Sequence, residues 1–392
     1  MFVQGNKVKL SSEGVFNKTK TVKEEKGMSR SQLVLDVISK KNTSYLPSQI
    51  TFSHSAKKME TANKLGMTEE ELDIYLGNHI KITATLDDVV QIDKKDKYLM
   101  GLATENSRVV WDKEQPSMFY DLWGMKYDAD EGGYFNYAHP LADCDDDSEI
   151  LKGFHAPELS NMDMLFSYAE QDLKKFGDDF LVIMNGYNGI WEKAYQLVGM
   201  EQFMYMMIAE PEKVEYILDV ICDYKVEIAK ETVKRGFPIG HYGDDLGTQI
   251  STIFSEDVFK ELFLPRIAKV FRVFKDAGVP IQMHSCGKIT PFIPHLIDAG
   301  LDVLEPVQAC MDFELLKREY GKYLTFYGGV DTQDLLTFRT PQEVYDETLR
   351  VIEVLGKGGG LIIGPSQEVM NNVPVDNVLA LMKAVKKARG EE

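Results

Sequence analysis

From residue 180 to its end the chain repeats one local pattern six times, and that repetition restricts the fold more than any other feature. A short apolar or β-branched run closes on glycine, aspartate or asparagine and is followed by a segment of helical periodicity. The runs are LVIMNG (181–186), PIGHYGDDLG (238–247), PIQMHSCG (280–287), VLEPVQ (303–308), LTFYGGVD (324–331) and GLIIGPS (360–366). Strands apolar on both faces must be covered on both faces, which is the condition of a parallel sheet flanked by helices. An early strand in LPSQITFSH and one more between residues 80 and 180 bring the number to eight, so the expectation is a (β/α)8 TIM barrel. A chain of 392 residues suits such a barrel carrying insertions. An open doubly wound sheet alternates in the same way, but no Gly-x-Gly-x-x-Gly loop follows any strand, and GKGGG (356–360) precedes one.

Helix borders agree with this reading. Ser29 is placed as an N-cap with Gln32 three residues on, ahead of Leu33, Val34, Val37 and Ile38 at helical spacing. Thr290-Pro291 is expected to open a helix that closes at Gly300, and Thr340-Pro341-Gln342-Glu343 is a capping box. Ser255 precedes two acids, Glu256 and Asp257, that suit a helix N-terminus. Residues 1–27 form a polar, lysine-rich extension, expected as a hairpin against the barrel or an oligomer contact. Residues 28–390 are read as a single barrel domain. Between 100 and 150, aromatics interleaved with charges and turn residues predict a β-hairpin insertion near the barrel mouth. The acidic run Asp143 to Asp147 lacks the spacing of a calcium loop and reads as the start of a helix.

A formal charge of -18 disfavours nucleic acid and anionic lipid as partners, since no basic patch interrupts it. Four dispersed cysteines form no disulfide framework and fit a reducing cytoplasm. There is no long apolar run and no signal-peptide pattern, so a soluble, non-exported protein is expected, with a homodimer as the commonest assembly.

Polar residues gather where the strands end, and in a parallel barrel those ends form one rim on which catalytic groups sit. The expected substrate lining is Asn185, Tyr187, Tyr242, Gln249, Gln308, Tyr327, Asp331, Gln333, Ser366 and Gln367. His284 and Cys286 stand at i and i+2 on one strand, so imidazole and thiol face the same way. Nitrogen and sulfur donors together suit zinc, which in catalytic sites takes about three protein ligands and an open position; without metal, the pair reads as a small buried thiol and a hydrogen-bonding imidazole. Glu305, an acid in an apolar strand, is the first choice for the third ligand or for an acid/base group, with Cys310 and Asp331 behind it. Asp244 and Asp245 are adjacent, so one is expected to face the cavity as a base or hydroxyl anchor while the other caps a loop.

These motifs resemble the uroporphyrinogen decarboxylase superfamily, particularly its branch of cobalamin-dependent methyltransferases. The resemblance runs from about Met28 to Gly390 and is carried by GDDLGTQ (243–249), MHSCGKITPFIPHLIDAGLDVLEPVQ (283–308), LTFYGGVDTQDLL (324–336) and GGGLIIGPSQEVMNNVPVDNVLALM (358–382). The decarboxylases are characterised by an arginine-rich N-terminal segment, which ISKKNTSYLPSQITFSH does not match. The methyltransferase branch implies a zinc site using His284 and Cys286, plus a cysteine after the last strand. Here Pro365 and Ser366 stand at that last position. The resemblance implies methyl transfer, for example O-demethylation of an aryl methyl ether or transfer from a methylamine, to the cobalt of a partner corrinoid protein, with Asp244 or Glu305 protonating the leaving group. Two alternatives remain open: a decarboxylase-like lyase acting on a carboxylated small molecule, and a non-catalytic corrinoid- or ligand-binding barrel.

Overall fold

The computed structural model describes residues 27–41, 44–85, 110–128, 136–144 and 148–391. The N-terminal extension before Gly27 and residues 145–147 of the acidic run lie outside the described residues. Eleven strands are described: β1 (Ile80–Thr83), β2 (Val110–Trp111), β3 (Met118–Tyr120), β4 (Lys126–Asp128), β5 (Asn136–Ala138), β6 (Leu181–Met184), β7 (Gly240–Gly243), β8 (Ile281–His284), β9 (Val303–Val307), β10 (Thr325–Val330) and β11 (Leu361–Pro365).

Seven of these and the segment around Ser48 close into a parallel barrel. β1 pairs with β6, and β7 to β11 run side by side in sequence order. Ser48 bridges in parallel to both Asn78 and Ile363, and Gln49 N donates to Ile363 O at 3.0 Å. The seam between β6 and β7 is held by Gly243 N donating to Gly186 O at 2.9 Å. The architecture is therefore the expected (β/α)8 barrel, with β1 as the strand sought between residues 80 and 180. All four residues of β6 and of β8, and all of β10 and β11, are buried, as parallel strands covered by helices must be.

Helix Arg30–Ile38 starts at Ser29, whose side chain accepts from Gln32 N, and it plugs the bottom of the barrel. Its Val34 and Ile38 join Ile80, Leu181, Ile183, Ile239, Val303 and Ile362 in an apolar floor. Helix Pro341–Leu355 has the expected capping box: Glu343 N donates to Thr340 Oγ1 at 3.3 Å, and Thr340 N donates to Glu343 Oε2 at 2.8 Å. Thr290 corrects another expectation. It begins a 3-10 turn, Thr290–Phe292, without capping through its side chain, and the α-helix proper is Ile293–Ala299, closed by Gly300 in the left-handed region. Pro294 has no N–H for an α-type bond to Thr290 O, and that carbonyl accepts from Ile293 N instead, which makes the tighter turn.

The described part of the insertion is an antiparallel sheet of four strands in the order β2-β3-β4-β5. Phe119 and Tyr127 stack across β3 and β4 with centroids 5.4 Å apart. Trp123, at the turn between those strands, meets Tyr224 of helix Pro211–Lys234 edge to face at 5.0 Å. Leu141 N donates to Leu197 O at 2.9 Å, which ties the sheet to helix Ile190–Val198 above β6. Among the described residues, no helix is long and apolar enough to cross a membrane.

Candidate active site at the barrel mouth

β8 sends Gln282 and His284 into the lumen by strand alternation, and Cys286 follows just past the strand end. The loop after β7 reaches the same point because two glycines let the backbones touch. Gly287 has φ +85°, and a Cβ there would lie 2.3 Å from the carbonyl carbon of Gly247. That contact brings Asp245 over the end of β8, where its Oδ1 accepts from Cys286 N at 2.7 Å.

Asp245, His284 and Cys286 converge, each offering a donor atom within 4.8 Å of the others. His284 Nε2 lies 3.6 Å from Cys286 Sγ and 3.4 Å from Asp245 Oδ1. Such separations suit donor atoms on the edges of a tetrahedron whose bonds are about 2.0–2.3 Å, the dimensions of zinc with nitrogen, sulfur and oxygen ligands. His284 Nδ1 bonds Glu305 Oε2 at 2.8 Å, which fixes the ring and leaves Nε2 facing the other two donors. The side-chain nitrogens of Gln308 and Gln367 both reach Cys286 Sγ at 3.5 Å. The donor set therefore fits a divalent metal of zinc's preferences.

Glu305 consequently does not complete the set, contrary to expectation. The β8–β9 register aligns Glu305 with His284, so its carboxylate lies behind the imidazole, on the side away from Cys286. Asp245 takes the third place. Cys310 and Asp331 are not part of the group either. Asp331 uses its carboxylate to accept from Asp334 N at 2.7 Å and Leu335 N at 3.0 Å, and Gln333 is exposed in that turn.

Of the adjacent acids, Asp245 is the one at the cavity and Asp244 the one that caps, so Asp244 is not placed as the leaving-group acid, and Tyr242 departs from its expected rim position. Asp244 is fully buried and accepts from Trp191 N at 3.0 Å, Glu192 N at 2.9 Å and Tyr242 Oη at 2.7 Å. It anchors the N-terminus of helix Ile190–Val198, and a Cβ on Gly189 would lie 2.5 Å from its side chain. Tyr242 turns into the core against Phe271 at 5.9 Å, because β7 directs His241, not Tyr242, into the lumen.

The remaining expected residues divide by position. Tyr187 stands edge-on to His284 at 4.8 Å and to His241 at 5.1 Å, and Tyr327 is buried in the lumen. Gln308 accepts from Gly287 N at 2.7 Å and donates to Ser366 O at 3.0 Å, locking three rim loops together. Gln249 is exposed beside it, 3.4 Å from Gln308 Oε1. Ser366 accepts from Thr332 N at 3.3 Å, and Asn185 accepts from Tyr187 N at 3.1 Å, so both shape loops.

Electrostatics bind the group together. Burial alone would depress His284, but the Glu305 carboxylate, joined by Asp245, holds it well above the ordinary imidazole value. Burial works against ionised Glu305 as well, yet His284 and His241 hold it below the usual carboxylate range. Burial pushes the Cys286 thiol up despite the His284 hydrogen bond, so a bound cation is what would favour its thiolate. Three residues at the site were not among the expected ones: His241, Glu192 and Glu368. Burial drives Glu192 well above the carboxylate range, aided by Asp245 and Asp244, and burial raises Glu368, aided by Glu305. Lumen parity on β7 is the signal that could have found His241; Glu192 lies in the first turn of helix Ile190–Val198 and Glu368 in the loop after β11.

The uroporphyrinogen decarboxylase (URO-D) family model matches residues 119–388. A methylated-thiol–coenzyme M methyltransferase from Methanosarcina mazei is 25% identical over 223 residues, 56% of this chain and 56% of that protein. The match thus spans little more than half the length of that relative. Among solved structures, a methyltransferase from Methanosarcina mazei superposes with a TM-score of 0.63 at 15% identity, covering 92% of this chain and 99% of that one. At that identity the superposition speaks for the fold.

Proposed function

Because this chain belongs to the uroporphyrinogen decarboxylase family, we propose that it is the methyltransferase component of a corrinoid system. It moves a methyl group between a small methylated donor and the cobalt of a separate corrinoid protein, in the cytoplasm. The observation that carries this reading is the convergence of Asp245, His284 and Cys286 at the open end of the barrel. These three residues would hold zinc, which when bound acts as a Lewis acid on the heteroatom that gives up the methyl group.

The protein's own groups prepare that site. Glu305 orients His284, the Cys286 N–H holds Asp245, and the amides of Gln308 and Gln367 favour a charged sulfur by donating to it. Tyr187 packs its edge against the imidazole and limits water around it. A carboxylated substrate is poorly served, since among the described residues no Lys or Arg lines the cavity that holds Tyr187, Glu305 and Gln367. The rim loop after β7 leaves Ile250 84% exposed beside Gln249, an apolar contact suited to a docking partner.

The test mixes the protein with a reduced Co(I) corrinoid protein and candidate aryl methyl ethers, methyl thioethers and methylamines. Methyl transfer gives methyl-Co(III), while the leaving group keeps the bonding pair and takes a proton. The expected result is the loss of the Co(I) absorption and growth of the methyl-Co(III) spectrum with at least one donor class. Complex formation without any methyl-Co(III), using a corrinoid protein that a chemical methyl donor does methylate, contradicts the reading.

A further inference from the structure

A cavity inside the barrel lies directly beneath the Asp245, His284 and Cys286 group. Gln367 forms the shared wall: it lines the cavity and reaches Cys286 Sγ at 3.5 Å. The floor is apolar, with Ile80 and Ile183, and the upper walls carry Tyr187, Tyr327, Glu305 and Glu368. Among the described residues, no Lys or Arg lines it.

Gln282 is the telling residue. It sits one inward position below His284, is 3% exposed, and its side-chain oxygen has no hydrogen-bond partner. Buried acceptors are ordinarily paired, and an unpaired one in the wall of a cavity is a place where a ligand's donor would be matched. Glu305 is engaged by His284, whereas no hydrogen bond to the Glu368 carboxylate is found among the described residues. Two carboxylates and two tyrosine rings around an unpaired acceptor favour positive charge and N–H donors, and the imidazoles of His284 and His241 are already matched by Glu305.

We propose that this cavity holds the non-transferred end of the methyl donor, and that this end carries a protonated amine. The assignment rests on the methyl-transfer reading for the word donor, but the binding it describes needs no corrinoid. The methyl-bearing oxygen or sulfur stays at the mouth, while the ammonium reaches past Gln367 to Gln282 Oε1 and the Glu368 carboxylate. No bond changes at this subsite; it selects and orients.

Three probes that share a methoxy group test this by calorimetric titration of the full chain: 2-methoxyethylammonium, 2-methoxyethanol and methoxyacetate. The ammonium is expected to bind about tenfold or more tightly than the alcohol, the scale of one charge-assisted hydrogen bond, with methoxyacetate weakest. Glu368→Gln is expected to erase the preference for the cation while leaving the affinity for 2-methoxyethanol within about threefold. Gln282→Leu, which removes the open acceptor without adding charge, is expected to weaken the ammonium alone. Equal binding of all three probes, tightest binding of methoxyacetate, or a cation preference that survives both substitutions overturns the proposal. If the preference and its loss are seen but no methyl reaches a corrinoid protein, the subsite stands and the methyl-transfer reading falls.

Discussion

Cys286→Ala is expected to leave the purified protein with little zinc and to slow methyl transfer to a corrinoid protein by about a thousandfold or more. The substitution removes one of three convergent donors, and the remaining pair, His284 and Asp245, is too small a set for tight binding at a catalytic site. Glu305→Gln should behave differently, because Glu305 supports the imidazole from its far side and offers nothing to the metal. Loss of such a supporting carboxylate costs about 10–100-fold in metal affinity or activity. Metal analysis and the rate of methyl-Co(III) formation measure both. Full activity in Cys286→Ala would remove the sulfur from the site, and equal damage in the two variants would put Glu305 among the ligands.

Asp244→Ala is expected to cost about 3–5 kcal/mol of stability, the range for leaving buried partners of a charged group unpaired. The carboxylate receives two backbone N–H groups from the first turn of helix Ile190–Val198 and the Tyr242 hydroxyl, all in the core. A methyl side chain pairs with none of them. The helix it anchors also carries Trp191, fully buried, in an aromatic cluster with Phe203, Phe254 and Phe263. The loss is therefore expected to loosen that cluster as well. Urea denaturation gives the number, and a cost below about 1 kcal/mol would show that Asp244 is not the structural anchor described.

The barrel was legible because its signals are local. Apolar runs, prolines and capping residues mark strand and helix borders, and Ser29, Ser255 and Thr340 cap as their neighbours predict. Thr290 fails for a reason equally local, the missing N–H of Pro294. The site was legible only in part, because its geometry depends on which face of each strand looks inward and on how strands are staggered. Parallel strands are buried on both faces, so polarity does not alternate along them. On β7 that ambiguity placed Tyr242 at the rim, where His241 in fact faces the lumen.

Stagger explains the third donor. Glu305 and His284 are aligned in register, which puts the acid behind the ring, while Asp245 lies beyond the end of β7 and bends over Cys286. A spacing rule cannot see that, since Asp245 and Cys286 are separated by a whole helix and strand. Ser366, at the position where the methyltransferase branch implies a cysteine, is tied to Thr332 N instead, and Gln367 next to it reaches the Cys286 sulfur.

The proposed chemistry depends on Asp245, His284 and Cys286 forming one metal centre. X-ray absorption at the zinc edge of metal-loaded protein tests it most directly. The expected shell is one sulfur at about 2.3 Å, one imidazole nitrogen at about 2.0–2.1 Å and the remaining ligands oxygen, with the sulfur lost in Cys286→Ala. A shell of two or more sulfurs, or a one-sulfur spectrum unchanged in both Cys286→Ala and Asp245→Ala, would contradict it.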